Sequence, residues 1–295
     1  MPGERKSAKV EPLLLRAPRA LKGPRRASCP RSSNPSLRPS TTPPRGGGDW
    51  IHEIKFDGYR LQARIDGTKI QLLTRKGLDW TDSFRAVADA LKRLKLDSAL
   101  IDGEVVVEQE TGVSSFTGLQ EALKAGRSDQ MIFYVFDLLY LGGYDLTKAA
   151  LIHRKTLLAG CLDDVPAGGS IRYSEHIEGN GKAMLQNACR LGLEGIISKR
   201  KDQPYRSGRA KDWFKTKCTE RQELIIAGYV PSTTSSKMVG SLVMGLYEDR
   251  KLVHVGRVGT GFSADVARSL RDEAMAKDTP TKYTAVLSKS PSAKF

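Results

Sequence analysis

The segment Glu53–Arg60 reads EIKFDGYR and is the most informative stretch of the chain. Alternate residues of an extended chain share one face, so this segment places Glu53, Lys55 and Asp57 side by side. Gly58 then allows a tight turn or the close approach of a ligand to the backbone. Two interpretations are open, namely a surface strand with ordinary ion pairs and a reactive lysine in a charged site.

Further charged residues favour the second interpretation, because they stand beside apolar runs that read as short strands. Glu104 closes one such strand and Glu194 opens another. Lys215 and Lys217 flank a threonine, so both side chains project from one face of a third strand. Several short strands that carry charge beside apolar residues suggest a shared cleft that binds phosphate and metal.

The order of these motifs resembles the covalent nucleotidyltransferase superfamily of DNA ligases, RNA ligases and mRNA capping enzymes. Within it, the chain is similar to the ATP-dependent ligases of bacterial non-homologous end joining, over about residues 49–275. The segments that carry the similarity are Lys55–Arg60, Leu73–Gly77, Asp102–Glu104, Phe136–Tyr140, Glu194–Lys199, Tyr205–Arg209, Trp213–Lys217 and Gly256–Phe262.

The resemblance implies catalytic roles for three lysines and metal binding by two carboxylates. Lys55 would attack the α-phosphate of ATP, release pyrophosphate and hold AMP through a phosphoramidate bond. Lys215 and Lys217 resemble the pair that neutralises charge on the α-phosphate in the transition state. Glu104 and Glu194 resemble carboxylates that bind the ribose and a Mg²⁺ or Mn²⁺ ion.

The resemblance also implies contacts to the nucleotide. Phe136 looks like the aromatic residue that stacks on adenine, with plain core packing as the alternative. Arg60 and Arg75 resemble residues that contact the ribose and the phosphate of the DNA end, and an arginine fork suits such oxygens. Glu53 and Trp213 lie beside the base pocket in relatives.

The resemblance implies three steps: AMP moves from ATP to the lysine, then to the 5′-phosphate of a DNA break, and leaves when the 3′-hydroxyl attacks. We therefore expect a monomeric DNA ligase of repair and recombination that acts on double-stranded DNA with nicks or ends. A Ku-type end-binding protein is a candidate partner, and a cytoplasmic, nucleoid-associated location is expected. The alternatives are a non-catalytic or late-step-only end-binding remnant and an RNA ligase or capping-type nucleotidyltransferase.

Composition supports nucleic acid as the partner only in part. The 295 residues carry a net charge of +15, which suggests a polyanionic partner. Residues 1–48 hold eleven Lys and Arg residues against two acidic residues, so much of this charge belongs to a solubilising or unstructured tail. No segment approaches the roughly 18 apolar residues of a membrane span. The four cysteines form no C-x-x-C pair, which argues against a zinc site and a disulfide framework.

The predicted fold class is α+β. Residues 49–220 would form an adenylation (nucleotidyltransferase) domain of mixed sheets with flanking helices, and residues 1–48 a disordered Pro/Arg-rich tail. Residues 221–295 would form an OB-fold β-barrel that is incomplete, because it is short of strands and Asp278–Phe295 shows little pattern. Between Gly261 and Phe295 there is no counterpart of the basic motif that, in relatives, orients the pyrophosphate of ATP.

Three local patterns are clear enough to predict single elements. Alternating residues on both sides of Asp66–Gly67 predict a β-hairpin. The apolar run Met131–Leu141 is too short for a membrane and predicts a buried strand. Ser263 is placed to cap a helix that follows it.

Overall fold

The computed structural model describes residues 35–39, 47–166, 168–235, 237–276 and 281–288. The chain divides into two compact units, Met1–Cys218 and Thr219–Phe295, close to the boundary predicted after Glu220. Among the described helices, none has the length and apolar character that a membrane crossing needs.

Strands make up most of the regular structure. In chain order they are β1 (Pro35–Pro39), β2 (Trp50–Ile54), β3 (Tyr59–Asp66), β4 (Lys69–Thr74), β5 (Ser98–Val107), β6 (Met131–Leu141), β7 (Tyr144–Asp145), β8 (Ile171–Tyr173), β9 (His176–Glu178), β10 (Gly195–Arg200), β11 (Gly208–Lys217), β12 (Thr219–Pro231), β13 (Val239–Glu248), β14 (Lys251–Val258) and β15 (Thr281–Ser288). The α-helices are α1 (Arg85–Lys92), α2 (Phe116–Lys124), α3 (Leu151–Cys161), α4 (Gly181–Arg190) and α5 (Ala264–Ala276). Short 3₁₀ helices span Asp82–Phe84 and Ser128–Gln130.

The first sheet grows from the hairpin predicted around Asp66, which is confirmed. β3 and β4 pair antiparallel, from Leu61 opposite Thr74 to Asp66 opposite Lys69. Gly67 turns the chain with a φ of 59°, a conformation that glycine adopts without steric cost. The sheet has the order β4-β3-β5-β6-β7, and β8 pairs parallel with β6. The predicted buried strand is β6, at the predicted bounds.

The second sheet has the order β1-β11-β10-β2-β9. Its β10 pairs antiparallel with both β2 and β11. This register sets Ile196 of β10 opposite Ile54 and Gly195 opposite Lys217. The three strands β2, β10 and β11 are neighbours. The end of β2, the start of β10 and the end of β11 therefore lie side by side at one end of the sheet.

An apolar cluster joins the two sheets. Its buried members are Ile51, Leu100, Phe136, Leu139, Tyr140, Leu151, Tyr205 and Trp213. They come from β2, β5, β6, β11, α3 and the segment before β11, so both sheets and a helix contribute. Burying one large apolar side chain contributes about 1.5–3 kcal/mol. The cluster therefore fixes the distance between the sheets and the walls of the cleft between them.

The C-terminal unit is built on an antiparallel sheet with the order β14-β13-β12-β15. Its core includes Leu224, Leu242 and Met244, with Leu270 of α5 packed against them. The Ser263 hydroxyl accepts from the Val266 N–H at 3.3 Å, and α5 begins directly after it. The helix start predicted at Ser263 is therefore confirmed.

Two segments for which the sequence predicts no structure form strands. Pro35–Pro39 lies in the predicted disordered tail but pairs parallel with β11, so the prediction is wrong there. Residues 1–34 and 40–46 of that tail lie outside the described residues. Thr281–Ser288 lies in the stretch with little pattern but pairs antiparallel with β12. An edge strand is stabilised by backbone bonds to its neighbour, which local side-chain patterns do not reveal.

The prediction that the cysteines form no disulfide is wrong for one pair. Cys189 and Cys218 form a disulfide, with their Cα atoms 5.3 Å apart and a sequence separation of 29. Cys189 lies near the end of α4, and Cys218 directly follows β11. Ala188, Ile196 and Cys218 share one small apolar cluster, so packing of α4 on the second sheet brings the two cysteines together.

Candidate active site

Lys55 lies directly after β2, at the end of the second sheet where the termini of β2, β10 and β11 lie side by side. Its backbone N–H donates to the Gly195 carbonyl at the start of β10, at 2.9 Å. Three residues further on, the Gly58 N–H donates to the Glu104 carboxylate on the first sheet, at 3.2 Å. The loop from Lys55 to Gly58 therefore connects both sheets and holds the Lys55 side chain between them.

Glu194 forms ion pairs with two of the predicted catalytic lysines. Lys55 Nζ contacts one carboxylate oxygen, and Lys217 Nζ lies 2.8 Å from the other. Lys217 reaches Glu194 because the β10–β11 register sets it opposite the neighbouring glycine. Lys215 projects from the same face of β11, two residues earlier. Two lysines contact this buried carboxylate, and a third lies on the same strand face, so the cluster supplies positive charge that suits a phosphate ligand.

Glu104 stands close to this cluster on β5. Burial raises the pKa of its carboxyl to about 7, although the charges of Lys55 and Arg60 act in the opposite direction. The Glu194 carboxylate also raises this pKa. Glu104 is therefore poised to change protonation near neutral pH when a cation or a hydroxyl group approaches it.

Asp57 joins this group and was not among the predicted site residues. Its Oδ2 atom is buried and has no hydrogen-bond partner among the described residues. Burial and the nearby Glu194 carboxylate raise the pKa of Asp57, and the Lys55 charge opposes them. Its alternation with Lys55 in Glu53–Arg60 was the signal in the sequence that pointed to this position.

The carboxylates of the site fit a magnesium ion that is bound together with a substrate. In the described part of the chain, no three His, Cys, Asp or Glu side chains are arranged to hold a metal alone. Mg²⁺ usually takes one or two carboxylates and completes its shell with water and phosphate oxygens. Both oxygens of Glu194 already contact lysines, whereas Asp57 Oδ2 has no partner. Asp57 and Glu104 therefore offer oxygen donors that fit this mode of binding, and Glu194 fits it once a lysine contact opens.

Arg60 connects the charged cluster to two aromatic rings. Its guanidinium forms a two-point ion pair with the buried Asp102, with Nε 3.0 Å from Oδ1. Its Cζ atom lies 5.2 Å from the ring centroid of Phe136 and 5.6 Å from that of Trp213. The two rings meet edge to face and belong to the cluster that joins the sheets. Phe136 thus packs in the core, and its stacking on adenine stays a prediction.

Glu53 is buried between two lysines that were not among the predicted site residues. Lys155 Nζ lies 2.8 Å from one carboxylate oxygen and Lys199 Nζ 2.6 Å from the other. Burial would raise the pKa of Glu53, but the two lysines outweigh it and hold the pKa below its usual value. Lys199 Nζ also lies 4.3 Å from the ring centroids of both Phe136 and Trp213. Lys199 therefore connects Glu53 to the two aromatic rings of the predicted base pocket.

The structure brings most of the predicted site residues together in the cleft, but it places Arg75 elsewhere. Lys55, Glu194 and Lys217 are joined by ion pairs, and Arg60 lies against the two predicted pocket aromatics. Arg75, in contrast, lies in the exposed turn after β4, which is closed by a bond from the Gly77 N–H. A contact between Arg75 and a DNA end stays a prediction.

Gly195 is expected to tolerate no side chain. Its φ is +147°, and an added Cβ would lie 2.1 Å from the Thr216 carbonyl oxygen. We expect Gly195→Ala to lower the free energy of unfolding by about 1–3 kcal/mol, because backbone must move to make room. Denaturant unfolding measures this, with Gly48→Ala as the control in open space. Equal stability of the two variants would contradict the assignment.

Comparison with known proteins identifies the family. The model of the ATP dependent DNA ligase domain matches residues 40–217, and that of the ATP dependent DNA ligase C terminal region matches residues 235–294. The multifunctional non-homologous end joining protein LigD of Pseudomonas aeruginosa is 41% identical over 78% of this chain. The chain spans only 27% of the length of that protein.

Solved structures support the same assignment. The ligase domain of LigD from M. tuberculosis matches with a TM-score of 0.55 and 32% identity, over 82% of this chain and 77% of that one. A mycobacterial DNA ligase D complexed with ATP and MES matches with a TM-score of 0.56 and 31% identity, over 84% and 79% of the two chains. The predicted α+β class with an OB-like sheet in the C-terminal unit is confirmed. The chain belongs to the family of ATP-dependent DNA ligases.

Proposed function

We propose that this chain seals breaks in double-stranded DNA through AMP bound covalently to Lys55 and then to the 5′ end of the DNA. Two ion pairs carry the proposal. Through them, Glu194 holds Lys55 beside Lys217, between the two sheets. A primary amine next to a phosphate-binding charge cluster is the arrangement that nucleophilic attack on a phosphate requires.

In the first step, the Lys55 amine attacks the α-phosphorus of ATP and pyrophosphate leaves. An ordinary lysine has a pKa near 10.4, so its deprotonation at neutral pH costs about 4–5 kcal/mol. In the structure the Lys55 amine is held by the Glu194 carboxylate, which Lys217 also contacts. Separation of Lys55 from Glu194 when the nucleotide binds is therefore the event that frees the amine for attack.

The remaining residues bind and orient the nucleotide. Lys215 and Lys217 neutralise the negative charge that develops on the α-phosphate. Arg60 and Glu104 hold the ribose, and Arg75 contacts the phosphate of the DNA end. Glu104 and Glu194, with Asp57 beside them, would hold Mg²⁺ or Mn²⁺, which supplies charge neutralisation at the phosphates. Phe136, Glu53 and Trp213 enclose the adenine base.

The later steps move AMP to the DNA and then release it. The 5′-phosphate of the break attacks the lysyl-AMP, which frees Lys55 and gives a 5′–5′ pyrophosphate bond. The 3′-hydroxyl then attacks this activated phosphate, AMP leaves, and the strand is continuous. The same lysine pair neutralises charge in both transfers, because both take place at phosphates bound in one cleft.

The biological setting follows from the relatives and is part of the proposal. The similarity to proteins named for non-homologous end joining supports a role in DNA repair and recombination. A Ku-type end-binding protein is the candidate partner, and the chain acts as a monomer on nucleoid DNA in the cytoplasm. Nicks and ends are the substrates that the three steps require.

The proposal is tested with ATP and GTP, each labelled at the α-phosphate. We expect the protein to become labelled with ATP and Mg²⁺ alone, and the label to leave when nicked DNA with a 5′-phosphate is added. Nicked DNA that lacks this phosphate is the control and should leave the label in place. Labelling by GTP would indicate a capping enzyme, and release by RNA alone an RNA ligase. A folded protein that binds DNA ends but takes no label would indicate an end-binding remnant.

A further inference from the structure

The loop that carries Lys55 is held by backbone bonds on both sides of Phe56. These bonds run from Lys55 to the Gly195 carbonyl (2.9 Å), from Asp57 to the Ser114 hydroxyl (3.0 Å) and from Gly58 to the Glu104 carboxylate (3.2 Å). Phe56 is held by its ring, which stacks on Tyr134 with centroids 4.0 Å apart and planes inclined by 18°. The Phe56 carbonyl also accepts from Lys55 Nζ at 3.3 Å, so its position affects the nucleophile directly.

Tyr134 is itself fixed by two charged side chains. Its hydroxyl donates to Glu108 Oε1 at 2.5 Å and accepts from Arg172 at 3.0 Å. Arg172 also lies 2.8 Å from the other oxygen of Glu108, which closes a three-membered network. The strand pairing sets Tyr134 opposite Glu104 on one side and opposite Arg172 on the other. Burial and the hydrogen bond to Glu108 raise the pKa of Tyr134, so the phenol keeps its proton.

One hairpin supports the loop at two points. Glu108 and Ser114 pair with each other across this hairpin, which follows β5. Ser114 accepts the bond from Asp57, and Glu108 fixes the tyrosine on which Phe56 stacks. The backbone and the aromatic side chain of the loop are thus supported by the same short segment.

We propose that Tyr134 is a positioning residue for Lys55 in the first chemical step, and that it acts through Phe56. The inference rests on the proposed function, because it concerns the attack of Lys55 on ATP. Attack requires the amine within about 3–3.5 Å of phosphorus and in line with the leaving group, and small displacements cost much of the rate. The phenol ring limits the positions open to Phe56, and hence to the carbonyl that Lys55 contacts.

The role predicts a defect confined to one step. DNA that already carries 5′-AMP is sealed by attack of its own 3′-hydroxyl, which makes no use of the Lys55 amine. Loss of the Tyr134 ring should therefore slow self-adenylation and leave the sealing of pre-adenylated nicked DNA intact. A defect of folding or of nucleotide pocket shape would lower both activities together.

The test compares Tyr134→Leu, Phe56→Leu, the double variant and Tyr134→Phe, with Tyr247→Leu as the control. Tyr247 is 55% exposed and lies in the C-terminal unit. We expect the single-turnover rate of labelling by ATP to fall about 10- to 100-fold in each Leu variant, with the ATP concentration for half-maximal rate unchanged. The double variant should be no slower than the single ones, because both changes remove one contact. Tyr134→Phe keeps the ring and should recover most of the rate.

Two results would overturn the inference. One is a labelling rate in Tyr134→Leu equal to that of the wild type, and the other is an equal loss in labelling and in sealing of pre-adenylated DNA. If the wild-type protein takes no label, the proposed function fails and the inference fails with it. Label in the wild type together with a normal rate in Tyr134→Leu refutes the positioning role alone.

Discussion

Lys55→Arg is expected to abolish labelling of the protein by ATP, with a loss of more than about 10⁴-fold, because the variant lacks the nucleophile. Arginine keeps the positive charge that pairs with Glu194, so folding and nucleotide binding should survive. A guanidinium stays protonated at all accessible pH values and has no free amine to attack phosphorus. The measurement is single-turnover transfer of the labelled α-phosphate, followed by denaturation to retain covalent label only.

Lys217→Arg is the matched control for this prediction. Lys217 contacts the same carboxylate as Lys55, and its proposed role is to supply charge. Arginine supplies charge as well, so labelling should be reduced but measurable. Sealing of pre-adenylated nicked DNA should persist in Lys55→Arg. Covalent label on Lys55→Arg would show that another residue is the nucleophile.

The sequence was sufficient to predict the parts of the site that lie on local patterns. The alternation in Glu53–Arg60 and the spacing of Lys215 and Lys217 fix which side chains share a strand face. The expectation of a shared cleft then required only that the strands meet. The structure brings Lys55, Glu194 and Lys217 together because β10 pairs with both β2 and β11.

The features that the sequence did not predict depend on partners far along the chain. Lys155 lies in a helix 102 residues after Glu53, and no local pattern connects the two. The Cys189–Cys218 disulfide requires α4 to pack beside the end of β11. The edge strands β1 and β15 likewise depend on backbone pairing with β11 and β12. Short segments that contain proline or polar residues carry no side-chain pattern that predicts such pairing.

Ionic contacts to Glu53 form the most buried part of the site. Lys155 is fully buried, and Lys199 and Glu53 are each 2% exposed. Such a group contributes little net stability over apolar residues, because the desolvation of the charges offsets their attraction. Removal of one partner lowers the stability strongly, because it leaves a buried charge without compensation. The largest loss of stability is therefore expected from a change at Glu53, which serves both lysines.

Glu53→Gln is expected to lower the free energy of unfolding at neutral pH by about 3–5 kcal/mol. Denaturant unfolding measures this loss, and Glu178→Gln is the control. Glu178 pairs with Lys201 at the surface, where water screens the charges, so no measurable change is expected there. A Glu53→Gln protein as stable as the wild type would mean that the lysines reach water or other partners once the carboxylate is gone.

The loss caused by Glu53→Gln should also depend on pH. Burial lowers the pKa of Lys199 to about 8, even though the Glu53 carboxylate raises it. A lysine whose pKa is lower in the folded state binds more protons when unfolded, so stability rises with pH between the two pKa values. Without Glu53 the folded-state pKa of Lys199 falls further, and this rise begins at lower pH than in the wild type. The deficit should therefore be larger near pH 6 than near pH 9, and a deficit that grows with pH would contradict the buried ion-pair account.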